Sequence, residues 1–276
     1  MRAGSCQKLR GFMRILFVGD VFGEAGRDAL FHGLYKIKKR EKIDFCVVNG
    51  ENSAKNGRGM SGRDARDIFE SGADVITMGN HVWGCPEFEE YADRLSVLRP
   101  GNLGKNRPGR GFMRVDVAGT PLGVINIEGR AFIDPPGDSP FEFAEAAVEA
   151  LRGAGVRVIL VDIHAEATSE KKILAMFLDG RVSAVVGTHT HVQTADECVL
   201  DGGTAFITDV GMTGISRESV LGMGFKGVYE RYALGRQARF EPLKAGTPEI
   251  DAVVIDVDEV TGKALTIKRI KETVTE

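Results

Sequence analysis

Gly187-Thr188-His189-Thr190-His191 follows the apolar run Arg181-Val182-Ser183-Ala184-Val185-Val186, which reads as a buried strand. Two imidazoles at i and i+2 just past a strand end can face one crevice, and neutral imidazole is a common metal ligand near neutral pH. Two of the 5 histidines stand there. The arrangement recurs. Ile15–Val18 is followed by Gly19-Asp20, Phe45–Val48 by Asn49-Gly50-Glu51-Asn52, Val75–Met78 by Gly79-Asn80-His81, and Val158–Ile163 by His164. Open α/β sheets bind ligands beyond the carboxyl ends of their strands. Asp20, Glu51, Asn52, Asn80, His164, His189 and His191 therefore form one candidate metal constellation.

These seven donors are too many for one structural zinc. Carboxylate, amide and imidazole donors without thiolate suit two catalytic manganese, iron or zinc ions. Such a pair clamps the attacking and leaving oxygens of an in-line displacement. Glu51, central in the series, is the candidate bridging carboxylate. Asp20 and Glu51 offset only half the charge of two divalent ions, which leaves a surplus for a phosphodiester gaining negative charge. His81 directly follows Asn80, so the two are not expected on the same ion; His81 is the candidate proton donor to the leaving oxygen. Taken singly, Asp20 is also a good helix N-cap, Glu51-Asn52 suits a turn, Asn80 an αL position and His164 a core histidine. Their joint recurrence at strand ends favours the metal site. His32 matches no motif and is assigned a structural role.

The elements needed to position these groups are visible as periodicity. Strands at Ile15–Val18, Phe45–Val48 and Val75–Met78 alternate with helices at Arg27–Arg40, Gly62–Glu70 and Pro86–Leu95. A glycine- and proline-rich loop spans 99–111, and a hairpin, Met113–Val117 with Leu122–Ile127, makes the sheet mixed. A second alternating block follows: helix 141–151, strand Val156–Ile163, helix Ser169–Leu178 and strand 182–186. Strands Glu197–Leu200 and Thr204–Ile207 and a last hairpin, Ile250–Val257 with Ala264–Ile270, close the chain. The pattern predicts an α/β fold, two layers of sheet flanked by helices, in one domain over 13–276. Residues 1–12 read as an N-terminal extension, lacking the apolar core of a signal peptide.

Composition narrows the partners. The chain has 276 residues and a formal net charge of −3, against a dedicated nucleic-acid surface but compatible with a small phosphate substrate. No run approaches the length of a membrane span. The 4 cysteines form no CxxC pair, which fits a reducing cytoplasm. Gly19–Gly26 lacks both the dinucleotide and the P-loop spacing, and there is no GxSxG elbow. Lys55, Arg58 and Lys105 lie in glycine-rich loops as candidate phosphate contacts. Phe22 and Trp83 are candidates to stack on a base. Glu166, with Ser169-Glu170-Lys171, begins a helix, as capping residues or as support for His164.

Together the motifs resemble the calcineurin-like metallophosphoesterases, and more closely their YmdB-like branch, over nearly the whole chain from Met13. The matching segments include Gly19-Asp20-Val21-Phe22-Gly23, Asn49-Gly50-Glu51-Asn52, Gly79-Asn80-His81, His164–Lys171, Gly187–Thr194 and Thr208-Asp209-Val210-Gly211-Met212-Thr213-Gly214. The resemblance implies a metallophosphoesterase-type sandwich of two mixed β-sheets flanked by helices. It implies a binuclear metal centre, iron first and manganese or zinc after it. One ion would take Asp20, Glu51, Asn52 and His191, the other Glu51, Asn80, His164 and His189. It further implies hydrolysis of 2′,3′-cyclic nucleotides at the 2′ bond by metal-activated hydroxide, with His81 as acid. Asp20-Val21-Phe22 replaces the wider superfamily's Asp-x-His, and Glu51 its usual Asp, as in the YmdB-like branch. Alternatives are a phosphomonoesterase or RNA-end hydrolase with the same site, and a nucleotide sensor without turnover. A homo-oligomer is compatible with a soluble enzyme.

Overall fold

The computed structural model describes residues 11–104, 106–134 and 136–275. The chain runs through β1 (Phe12–Val18), β2 (Asp20–Val21), α1 (Gly23–Glu41), β3 (Phe45–Asn49), α2 (Gly62–Glu70), β4 (Val75–Thr77), α3 (Phe88–Tyr91) and β5 (Val97–Leu98). It continues through β6 (Phe112–Val117), β7 (Thr120–Glu128), α4 (Pro140–Gly153), β8 (Val158–His164), α5 (Thr168–Leu178), β9 (Ala184–Thr188), β10 (Cys198–Val199) and β11 (Ala205–Ile207). It ends with β12 (Met212–Ile215), α6 (Phe225–Tyr232), β13 (Pro248–Asp258) and β14 (Ala264–Thr273).

One sheet has the order β2-β12-β13-β1-β3-β4-β5, with β14 on β13; the other has the order β10-β11-β9-β8-β7-β6. Both are mixed, and the fold is an α/β sandwich of two sheets flanked by helices. Burial on both faces explains the unbroken apolar strand runs. Met13, Ile15 and Phe17 of β1 meet Leu160, Val186 and Ile255 between the sheets. Leu16 and Val18 point the other way and pack with Leu30, Leu34 and Ile37 of α1. On the far side, Ile159 and Val161 of β8 pack with Val148 of α4 and Leu174 of α5.

The expected strand ends divide between the layers. β1, β3 and β4 are parallel neighbours in the first sheet, and β8 and β9 are parallel neighbours in the second. Asn49 at the end of β3 donates across to Asp162 of β8 at 3.0 Å, so the two carboxyl edges face one another.

Three local expectations change. The helix expected over Pro86–Leu95 is helical only at Phe88–Tyr91. Beyond it, the Asp93 carbonyl accepts from Arg110 and its carboxylate from the Gly109 amide, which draws the chain into the 99–111 loop. α1 starts at Gly23 rather than Arg27. α6 and the short β2–β12 pairing have no counterpart in the sequence pattern. Residues 1–10 of the expected N-terminal extension lie outside the described residues, while Phe12 already belongs to β1. Among the described residues no helix is long and apolar enough to cross a membrane.

Candidate active site

The seven candidate ligands and His81 converge where the carboxyl edges of the sheets meet. Asp20 does not cap α1; it lies in β2, and Phe22 is the N-cap position. Glu51 and Asn52 follow β3, and Asn80 and His81 follow β4. His164 ends β8, and His189 and His191 follow β9. Asp20, Glu51, Asn52 and His164 are buried. Gly79 is required by crowding: a Cβ there would lie 2.3 Å from Glu51 Oε2 and 2.3 Å from the His164 ring.

The hydrogen bonds fix which nitrogen of each neutral imidazole is free to bind a metal. The Thr188 hydroxyl donates to Asp162 Oδ1 at 2.8 Å, so it accepts from His164 Nδ1 at 2.9 Å. His189 Nε2 faces Glu166 Oε2 at 3.1 Å, which leaves Nδ1 as its acceptor. His191 Nδ1 donates to the Leu221 carbonyl at 3.1 Å, which leaves Nε2. A second nitrogen held by a carboxylate, hydroxyl or carbonyl is the usual arrangement of metal-bound histidine.

The free atoms then face one another. His164 Nε2 lies 3.0 Å from Asn80 Oδ1, 3.0 Å from His189 Nδ1 and 3.2 Å from Glu51 Oε1. Asn52 donates Nδ2 to the Gly57 carbonyl, so Oδ1 is the atom 3.0 Å from His191 Nε2. Among the described residues the buried Asp20 Oδ1 has no hydrogen-bond partner. Acceptors pressed against acceptors call for a cation between them. One proton on His164 can serve one of its contacts but not the separate His191–Asn52 pair. Glu51, His164 and His189 bring ligand atoms within 4.8 Å of one another, and the donor set fits a metal site.

Electrostatics agree. Burial pushes the Asp20 carboxyl up, with only partial relief from His164. Burial also works against the Glu51 charge, but His164 and His81 outweigh it and hold that carboxyl well below its usual range. Burial opposes protonation of His164, yet Glu51, Asp20 and Asp162 raise it to about 9. Burial and the neighbouring His164 push His189 down to about 3, and burial lowers His191. The carboxylates thus demand positive charge at His164, while His189 and His191 stay neutral as metal ligation requires. His81 is half-buried, with Nδ1 3.2 Å from Glu51 Oε1 and its backbone N–H donating to Glu51 Oε2 at 3.1 Å.

Asp162 and Glu128 are supporting residues absent from the sequence-derived set, and the Glu166–Lys171 group takes other roles than those expected. Asp162 is fully buried and accepts from Thr77, Asn49 and Thr188, which locks the hydroxyl that orients His164. Its signal was a lone carboxylate inside Val158–His164. Glu128 pairs with His164 in the β7–β8 register; burial raises its carboxyl to about 7, and Oε2 has no hydrogen-bond partner among the described residues. Lys171 does not cap α5. It is buried and donates to Asp209 Oδ2 at 2.8 Å, and that oxygen also accepts from the Thr190 N–H at 2.9 Å. Asp20 Oδ2 accepts from the His189 N–H at 3.0 Å. These contacts hold His189 at φ 108° and His191 at φ 62°, conformations costly for non-glycine residues and concentrated at functional sites. Glu166 supports His189 rather than His164. Glu170 instead accepts from the Arg130 and Ala131 amides.

A cavity of about 350 Å³ opens on this edge, lined by Glu51, Asn52, His81, His189 and His191 and by Arg58. Phe22 also lines it, edge-on to His191 at 5.6 Å. Gly57 and Gly222 press on the Phe22 ring so closely that a Cβ on either would come within 2.6 Å, and the residue is only 6% exposed, so it offers little surface to a base. Trp83 packs on Phe88 at 5.5 Å and under Arg107 at 4.5 Å, away from the cavity lining. Lys55 lines a different pocket. Lys105 lies outside the described residues.

A family model described as YmdB-like protein matches residues 16–270. The chain is 45% identical, over 261 residues, to a Bacillus subtilis (strain 168) protein named 2′,3′-cyclic-nucleotide 2′-phosphodiesterase, covering 94% of this chain and 96% of that one. It is similar to the crystal structure of a hypothetical protein from Thermus thermophilus, with 38% identity, a TM-score of 0.88, and 95% and 100% of the two chains covered. It is also similar to a Mycoplasma pneumoniae structure described as a novel phosphatase, with 30% identity, a TM-score of 0.88, and 95% and 94% covered.

Proposed function

The chain belongs to the YmdB-like protein family, and from that premise we propose that it hydrolyses 2′,3′-cyclic nucleotides at the 2′ bond to give nucleoside 3′-phosphates. The carrying observation is the set of acceptor-against-acceptor contacts, His164 with Asn80 and His189, and His191 with Asn52, beside a cavity that suits a mononucleotide. Asp20, Glu51, Asn52 and His191 would hold one metal ion, and Glu51, Asn80, His164 and His189 the other. The mixed oxygen and nitrogen donors suit iron, with manganese or zinc as substitutes. When bound, the ions supply Lewis acidity, making water nucleophilic and neutralising charge on phosphate oxygens.

The protein groups carry the rest. Glu51 supplies the shared negative charge and fixes His81 through the backbone and the ring. His81, on the cavity wall, donates a proton to the ribose 2′-oxygen as the P–O2′ bond breaks and water oxygen joins phosphorus. Asp162–Thr188, Glu166 and the Leu221 carbonyl hold the three imidazoles in their metal-binding tautomers.

The test is chromatographic product analysis of 2′,3′-cyclic AMP incubated with iron- or manganese-reconstituted protein, with 3′-AMP the expected product. No product at verified two-metal occupancy would reject the substrate. A phosphomonoester belongs in the same assay, because a solved relative is described as a phosphatase; faster release of phosphate from the monoester would favour that activity. His81→Ala is expected to lower kcat by roughly 10²–10⁴-fold with metal content unchanged. Full activity in that variant would remove His81 from the acid role.

A further inference from the structure

Apart from the Leu221 carbonyl, the wall of the cavity facing the metal-site residues has no role in the chemistry above. It is built by residues 220–243, a flap clasped at its base. Gly224 N–H donates to the Glu241 carbonyl at 2.8 Å, and Leu243 N–H to the Gly222 carbonyl at 2.9 Å, so the two legs pair. The His191–Leu221 hydrogen bond ties this base to the metal-site edge. α6, which rises from the clasp, buries none of its residues against the rest of the chain. The flap nevertheless contributes Met223, Val228, Tyr232 and Phe240 to the cavity lining. Tyr232 and Phe240 lie 6.2 Å apart with their planes 34° from one another, and Arg231 lies over Phe240 at 5.5 Å. Tyr232 remains 78% exposed.

Tyr232 lines the cavity beside Phe240 yet leaves most of its ring surface in water. A planar base can cover that surface: stacking on a Tyr or Phe face is favourable for every base because each has a π-face. We propose that Tyr232 and Phe240 form the nucleobase subsite, so that the metal edge reads the cyclic phosphate and the flap reads the base by stacking. The proposal rests on the cyclic-nucleotide activity above. It replaces Phe22 and Trp83, whose rings are already packed, as the base-binding aromatics. Stacking alone does not rank the bases, because each has a π-face.

Steady-state kinetics of metal-reconstituted wild type, Tyr232→Ala, Phe240→Ala and Tyr232→Phe are compared on 2′,3′-cyclic AMP and on the cyclic phosphate of a ribose lacking its base. On cyclic AMP the alanine variants are expected to raise KM by roughly 10–100-fold with little change in kcat, and Tyr232→Phe to stay near wild type. On the abasic substrate the difference between wild type and the alanine variants is expected to vanish. An equal loss on both substrates, or none on either, would overturn the subsite. If wild type turns over neither substrate, it is the chemistry that fails, and calorimetric titration with 3′-AMP decides the subsite. Binding weakened by the same factor in the alanine variants supports it, and equal or absent binding overturns it.

Discussion

Glu51→Ala is expected to abolish turnover and to strip the protein of metal, the largest functional loss of any single substitution. Glu51 is 1% exposed and stands at the centre of the site, 3.2 Å from His164 Nε2 and 3.2 Å from His81 Nδ1. In the proposed two-ion arrangement Glu51 is the carboxylate common to both positions, so its loss would weaken both at once and leave His164, His189 and Asn80 without the negative charge that balances a cation. Loss of an outer hydrogen-bond partner of a metal ligand costs about 10–100-fold in affinity or activity. Loss of the shared ligand should exceed that, to about 10³-fold or more in kcat/KM. Glu51→Gln sharpens the test. It keeps the shape and one oxygen for the His81 amide, but removes the charge. Metal content by elemental analysis should fall below one ion per chain in the alanine variant and stay below two in the glutamine variant. Two ions per chain with turnover within about tenfold of wild type would take Glu51 out of the bridging position.

What the sequence reveals and what it hides follow from the range of each interaction. Strand ends are local events: an apolar run, a glycine and a polar side chain within a few residues, as at Gly19-Asp20 and Gly79-Asn80-His81. They are legible one by one, and the two-layer fold that gathers them follows from the alternation of strands and helices. The assignment of strands to sheets is less legible. β1, β3 and β4 share one layer and β8 and β9 the other, because the β6–β7 hairpin intervenes and starts a second sheet. α6 escapes a reading by periodicity because it buries no face, so it carries no core-facing stripe. β2, of two residues, is too short for any period and exists through its pairing with β12, far along the chain. Sequence proximity points Glu166 at His164, while the turn at His189 brings a different imidazole to it.

Lys171→Met is expected to cause the largest loss of stability. In sequence Lys171 reads as part of a group that caps a helix or supports His164; in the fold it is 0% exposed and 2.8 Å from the equally buried Asp209. Removing one member of a buried pair leaves the other charge without compensation, which costs about 3–5 kcal/mol. At this chain length that corresponds to a fall in Tm on the order of 10 °C. The loss also reaches the metal site. Asp209 accepts from the Thr190 and Gly211 amides, both at 2.9 Å, and so braces the loop that keeps His189 and His191 in left-handed conformations. Metal affinity should therefore fall by roughly 10–100-fold, as for other supports of metal ligands. Lys171→Met combined with Asp209→Asn separates the two effects. The double variant removes the stranded charge and should recover much of the Tm. Metal affinity should recover less, because one amide oxygen cannot replace two carboxylate oxygens in bracing the two N–H groups. Thermal melts and metal titrations on the four proteins of this cycle measure the coupling directly. A single variant that melts within about 2 °C of wild type, well inside the shift expected from a stranded charge, would show that Asp209 finds compensation without Lys171.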